Sequence, residues 1–125
     1  MRVYLAGPMR GIKEFNYPSF HTAAYRLRQL GHSVFSPAEK DIERHNGEDI
    51  SVGTTGDLKE IEAKGFSLRD AIMDDLTYIA READAIALLP GWEKSSGVKV
   101  ELALANFLGL KVWELSEYDA TRRSA

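Results

Sequence analysis

Ala85-Ile86-Ala87-Leu88-Leu89-Pro90-Gly91 is the stretch that decides the fold. Five apolar residues in a row read as a strand of the buried type, and the Pro-Gly pair turns the chain at its end. Such strands belong to parallel sheets covered by helices on both faces. The flanking segments agree. Upstream, Ser67 can cap a helix with Asp70 three residues on, and helical spacing continues to about Ala83. Downstream, Gly97 to Leu108 is helical, Gly109 stops it, and Leu110 to Leu115 is again strand-like.

The same alternation fills the N-terminal third. Val3-Tyr4-Leu5-Ala6 is a short strand halted by Gly7-Pro8. Phe20, Ala23, Ala24, Leu27 and Leu30 recur at helical spacing over Pro18 to Leu30, with Gly31 as the stop, and Ser33-Val34-Phe35-Ser36 is a second strand before Pro37. The expected fold is α/β: a doubly wound, flavodoxin- or Rossmann-like parallel sheet of four to five strands, flanked by helices in right-handed crossovers. Ligands of such sheets bind beyond the carboxyl ends of the strands, where strand order reverses. That rule points at Gly7 to Gly11, at Ser36-Pro37 and at Pro90 to Gly97. Residues 38–66 break the pattern, with Gly47, Gly53, Gly56 and Gly65 among many charges. They read as a polar loop or lid insert holding a short helix around Leu58 to Ala63. The end of the chain, Thr121 to Ala125, reads as mobile.

Composition narrows the chemistry. The 125 residues make one domain. Cysteine is absent, which removes disulfides, thiolate metal sites and cysteine nucleophiles and fits a reducing cytoplasm. With 16 Lys+Arg against 19 Asp+Glu, the net charge of −3 argues against a nucleic-acid polymer held by a general basic field. No apolar run approaches the roughly 18 residues that would span a bilayer. No signal peptide fits ahead of a strand that starts at Arg2. His21, His32 and His45 share no ligand spacing and read as surface residues.

Two carboxylates stand out by placement. On the helix from Leu68 to Ala83, at about 100° per residue, Leu68, Ile72, Leu76, Ile79 and Ala83 form one apolar stripe. Asp70 and Asp74 point roughly away from it, whereas Asp75 lies at its edge and can look into a cleft. A half-exposed Asp75 bonded to nearby backbone is the plainer reading. Glu101 is the lone acid between Ser95 and Lys111, on a helix apolar almost all the way round. Such a carboxylate must be paired, protonated or catalytic. Lys99 and Lys111 are its candidate structural partners. The all-round apolarity also suggests a second packing partner for this helix, a homodimer contact.

Two turns could take an anion. Gly7-Pro8-Met9-Arg10-Gly11 follows the first strand, but is neither the dinucleotide fingerprint nor a Walker loop. Ser95-Ser96-Gly97 opens the helix that carries Glu101. Both are also common structural punctuation. Phe15, Tyr17 and Phe20 follow the first loop and could either stack on a planar base or pack in the core.

The order of these motifs resembles the nucleoside 2-deoxyribosyltransferase-like family. The matching residues are Tyr4-Leu5-Ala6-Gly7-Pro8-Met9-Arg10-Gly11, Asn16-Tyr17-Pro18, Asp75-Leu76 ahead of Ala83-Asp84-Ala85-Ile86, Ser95-Ser96-Gly97-Val98-Lys99-Val100-Glu101-Leu102, and Leu108-Gly109. That family includes 2′-deoxynucleoside 5′-monophosphate N-hydrolases, and small phage and bacterial proteins of unassigned function that share the Tyr4–Met9 opening. The resemblance covers nearly all of the chain outside residues 38–66, and its most specific part is Ser95-x-Gly97-x-x-x-Glu101.

The resemblance implies Glu101 as a nucleophile toward C1′ of a deoxyribose, Asp75 as the acid managing the proton of the departing base, and Tyr4 as the hydroxyl that positions the nucleophile. Ser95, where enzymes acting on free nucleosides tend to carry an acid, implies a 5′-phosphate bound with Gly97 and Arg10, beside Gly7 and Gly11. No metal or cofactor is implied. The implied partners are a small nucleotide or nucleoside and further copies of the chain, as a homodimer or homotetramer. Lys99 and Val100 depart from the small or aromatic residues frequent in relatives. The competing readings are deoxyribosyl transfer between bases, a phosphoribohydrolase whose glycine-rich motif is only partly present, and a nucleotide-binding module without turnover.

Overall fold

Each apolar run becomes a strand of a single parallel sheet: β1 (Arg2–Ala6), β2 (Ser33–Phe35), β3 (Ala85–Leu88) and β4 (Lys111–Glu114), in the order β2-β1-β3-β4. The computed structural model describes residues 1–117, so the tail at Thr121 to Ala125 lies outside the described residues. From β1 the chain moves outward to β2, then crosses back to β3 on the other side of β1 and continues to β4. Strand order therefore reverses between β1 and β3, and the loops leaving these two strands lie side by side. A Cβ placed on Gly7 would come 2.7 Å from the Leu89 Cβ, so the close approach of the two strand ends requires glycine there.

Side-chain alternation splits the interior into two cores. Val3 and Leu5 face one way, onto α1 (Tyr17–Gln29), together with Phe20, Ala24 and Leu27. Tyr4 and Ala6 face the other way, onto α4 (Leu68–Arg81) and α5 (Ser96–Phe107), together with Ile79, Ile86 and Val98. Ser67 caps α4, its hydroxyl oxygen accepting the Asp70 N–H at 3.2 Å. Ser95 does the same for α5, accepting the Val98 N–H at 3.2 Å.

The stretch 38–66 departs from its reading as a polar loop or lid. It opens with α2 (Pro37–Arg44) and includes α3 (Leu58–Glu62). Pro37 sits in the first turn of α2, where its missing N–H costs nothing. Ala38, Ile50 and Ile61 are buried in the α1-side core, so the segment is docked along its length. Few and widely spaced apolar residues are enough to dock it, and that sparseness hid it from a periodicity argument.

The α4 stripe also differs. Its buried residues are Ala71, Asp75 and Ile79, while Ile72 is 46% exposed and Met73 69%. Asp75 thus lies at the centre of the buried face, not at the edge of one. The apolar residues beside it line an open groove of about 540 Å³ between α4 and α5, with Ile72, Met73, Leu76 and Leu104 on its walls and Arg69 and Arg81 among its lining. No helix among the described residues is long and apolar enough to cross a membrane.

Candidate active site

Tyr4 stands in the middle of β1, wholly buried, with its ring 5.6 Å from Phe35 and 6.4 Å from Tyr78, centre to centre. Strand alternation turns it toward α4 and α5. There its hydroxyl donates to Oε2 of Glu101 at 2.6 Å. Asp75, from the centre of the buried face of α4, acts on both groups. Three chain segments separated by some 70 and 26 residues thus deliver one hydroxyl and two carboxyls to a single place beside the switch between β1 and β3.

The electrostatics follow from that burial. Removal from water pushes Glu101 up to about 8; the Tyr4 hydroxyl bond opposes the rise and the neighbouring Asp75 adds to it. Burial likewise raises Asp75 to about 7, opposed by the guanidinium of Arg44 and the Tyr4 hydroxyl, and reinforced by Asp74 and Asp41. The Tyr4 hydroxyl is itself held well above its ordinary range by burial and by the two acids, so it remains a donor. Asp75 Oδ1 is buried and has no hydrogen-bond partner among the described residues, and the Ser36 hydroxyl is in the same condition. A buried acceptor left in that state costs about 1–3 kcal/mol, which a proton or a ligand donor would recover.

The anion-binding residues divide. Arg10 is exposed, with no ion pair among the described residues. Gly97 and Ser96 lie exposed in the first turn of α5, and a Cβ on Gly97 would meet only Ser95 Oγ, at 3.8 Å, so open space lies in front of the helix end. Ser95 uses its oxygen as the cap and keeps its hydroxyl proton to donate. Gly11, by contrast, spends its N–H on the Gly56 carbonyl at 2.9 Å, and Gly7 is buried against Leu89. These two glycines shape the loop rather than offer it to a ligand.

A second correction concerns the rings. Phe15 and Tyr17 are 3% and 4% exposed and belong to the α1-side core, so neither presents a face to a planar base. Phe15 is placed there by a left-handed turn: Glu14, Phe15 and Asn16 have φ of 54°, 54° and 63°. That conformation costs non-glycine residues roughly 1–2 kcal/mol each, less for Asn. It is held by Glu14, whose N–H reaches the Thr54 carbonyl at 3.0 Å and whose carboxylate accepts the Gly53 N–H at 2.7 Å. Asn16 donates to the Pro8 carbonyl at 3.0 Å. The 53–56 segment therefore clasps the first loop.

Sequence reading missed the neighbours of Asp75. Arg44 on α2 bonds Asp74 at 2.6 Å and lies 3.5 Å from Asp41, which is 1% exposed and accepts the Tyr17 hydroxyl. The Ser36-Pro37 helix start and the Asp41–Arg44 spacing of three were the available signals. The histidines are half-buried rather than surface residues: His45 bonds the Asp41 carbonyl and His32 packs on Trp113. Among the described residues no group of three His, Asp or Glu side chains could hold a metal ion.

The arrangement can support nucleophilic displacement at a carbon, with a carboxylate oriented by a phenol and a second carboxyl that carries a proton near neutrality. No curated protein and no solved structure matches the chain. A family model matches residues 1–114 and takes in Tyr4, Asp75 and Glu101 together: the chain belongs to the family described as Domain of unknown function (DUF4406).

Proposed function

We propose that this protein hydrolyses the N-glycosidic bond of a 2′-deoxynucleoside 5′-monophosphate. The observation that carries the reading is the convergence of the Tyr4 hydroxyl, Glu101 and Asp75 beside the switch point of the sheet. Glu101, ionised, attacks C1′ with a carboxylate oxygen. The C1′–N bond breaks, its electron pair leaves with the base, and Asp75 supplies the proton the base nitrogen needs. Water then attacks C1′ of the glycosyl ester and gives a proton to Asp75, which frees Glu101 and releases deoxyribose 5-phosphate. Tyr4 orients the nucleophile and holds it partly ionised.

Arg10, the Ser95 hydroxyl and the free N–H groups at the start of α5 form a local phosphate site, which an overall charge of −3 does not oppose. The unpartnered Asp75 Oδ1 is the atom that meets the base. The reading requires no metal or cofactor. Purified protein incubated with the deoxynucleoside monophosphates, and with the free deoxynucleosides, should release free base from at least one monophosphate. No release from any of them overturns the proposal, and a new nucleoside formed when an acceptor base is added would make the reaction transfer instead. A cytoplasmic setting, with small-molecule rather than polymeric nucleotide partners, belongs to the same proposal.

A second copy of the chain is the proposed occupant of the α4–α5 groove. Exposed Ile72 and Met73 give it an apolar floor of the kind dimers bury. Met73→Asp should convert a dimer to monomer in sedimentation; a wild type that is already monomeric at tens of micromolar rules the dimer out.

A further inference from the structure

Asp75 is surrounded by ionisable groups from four elements. Asp74 precedes it on α4, Asp41 approaches from α2, Glu101 from α5, and the Tyr4 hydroxyl from β1. Each carboxylate near it disfavours its ionised form. One guanidinium meets this group from the α2 side. Arg44 Nη1 bonds Asp74 Oδ2 at 2.6 Å, and Nη2 lies 3.5 Å from Asp41 Oδ1, with the arginine side chain only 19% exposed. Asp41 is fixed in turn by the Tyr17 hydroxyl and by His45, whose Nδ1 is 3.4 Å from Oδ1. Arg44 therefore has little freedom, and it is anchored to the backbone neighbour of Asp75.

We propose that Arg44 is a positioning residue of the site: clamped between Asp41 and Asp74, its guanidinium sets the placement and the charge of Asp75. The inference rests on the reading of Asp75 as the proton-managing acid, and it gives α2 a part in the chemistry. The clamp links helices that are otherwise joined by few contacts, so the approach of α2 to α4 is itself part of the device. Ionisation of Asp75 is opposed first by burial and then by Asp74 and Asp41, and it is supported by the Arg44 guanidinium and the Tyr4 hydroxyl. Removing that cation leaves Asp75 protonated to higher pH.

The test is the ¹³C NMR titration of the Asp75 carboxyl, assigned by its loss in Asp75→Asn, in wild type, Arg44→Gln and Arg44→Lys. Arg44→Gln should move the midpoint up by about one pH unit or more. Arg44→Lys, which keeps a charge but cannot span both acids, should move it less in the same direction. In turnover assays on a released base, the alkaline limb of the pH profile should move up with the midpoint. A merely structural role would scale the whole profile down and leave its limbs in place. An unchanged midpoint in whichever variant folds overturns the proposal. The titration is readable without turnover, so an inactive wild type would sink the hydrolase reading and leave the Arg44 coupling measured.

Discussion

Among the described residues two tyrosine–carboxylate pairs lie on opposite faces of the sheet, one buried and one half-buried at its acid, and their surroundings differ. On the α1 side, Tyr17 donates to Asp41, and Asp41 also has Arg44 and His45 beside it. On the α4–α5 side, Tyr4 donates to Glu101, which has no salt bridge among the described residues and a second acid for a neighbour. The first pair is compensated and ties three elements together. The second is held in a state that prefers a proton, at the place where the fold puts ligands. What separates the compensated pair from the one proposed to react is the cation, not the tyrosine.

The contrast breaks hardest at Glu101. Glu101→Gln should cut turnover at least about a thousandfold while nucleotide binding, read by calorimetry, survives. Retained turnover would remove the nucleophile from the proposal. The compensated pair should answer in stability instead. Asp41→Ala leaves the Tyr17 hydroxyl without its acceptor and Arg44 with Asp74 alone, and should cost about 3 kcal/mol in urea unfolding. A loss below about 1 kcal/mol would mean that the two pairs are not different in kind.

Tyr4→Phe sharpens the comparison, because the hydroxyl lowers Glu101 against the effect of burial. Its loss should reduce turnover about ten- to a hundredfold and move the acid limb of the pH profile upward. In the proposed reaction the productive form has Glu101 ionised and Asp75 protonated. The two acids act on one another, so they titrate as a pair and activity should peak between about pH 7 and 8.

The smallest effect is on folding. The unfolded acids titrate near 3.8 and 4.5, below their folded values of about 7 and 8. Between those limits the native state binds more protons than the unfolded one, so stability is greatest below the window and falls as pH rises through it. Thermal melts should therefore decline from pH 5 to pH 8. Glu101→Gln, having no charge to bury, should flatten that decline and raise Tm at pH 8 by about 3 °C or more.

The strands and the helices α1, α4 and α5 were legible because each carries a full apolar stripe or run that a sheet must cover. Glu101 was legible for the same reason in reverse: a single acid on an apolar helix is conspicuous. Asp75 is only roughly placed by helical phase. The stripe includes Ile72, which faces a groove, and Leu76, which is shared between that groove and the core, and apolarity alone does not distinguish a core face from an open one. Phe15 was ambiguous because its orientation depends on three left-handed residues, and none of them is a glycine. The α2 helix and its Arg44–Asp41 clamp were illegible because charged residues that compensate one another look, in sequence, like a solvated face.

The clasp between Glu14 and residues 53–56 has a consequence for the order in which the protein assembles. The loop that leaves β1 is complete within the first sixteen residues, but the bond that secures it comes from 39 positions further along. Left-handed backbone without that bond is uphill, and the closure must be made across a long intervening stretch. The sheet and α1 can therefore dock while the mouth of the cleft is still unformed. Gly56, whose added Cβ would lie 2.3 Å from the Ile12 carbonyl oxygen, leaves no room for a side chain at that closure. A fault there would yield a chain with its strands in register and its cleft unfinished.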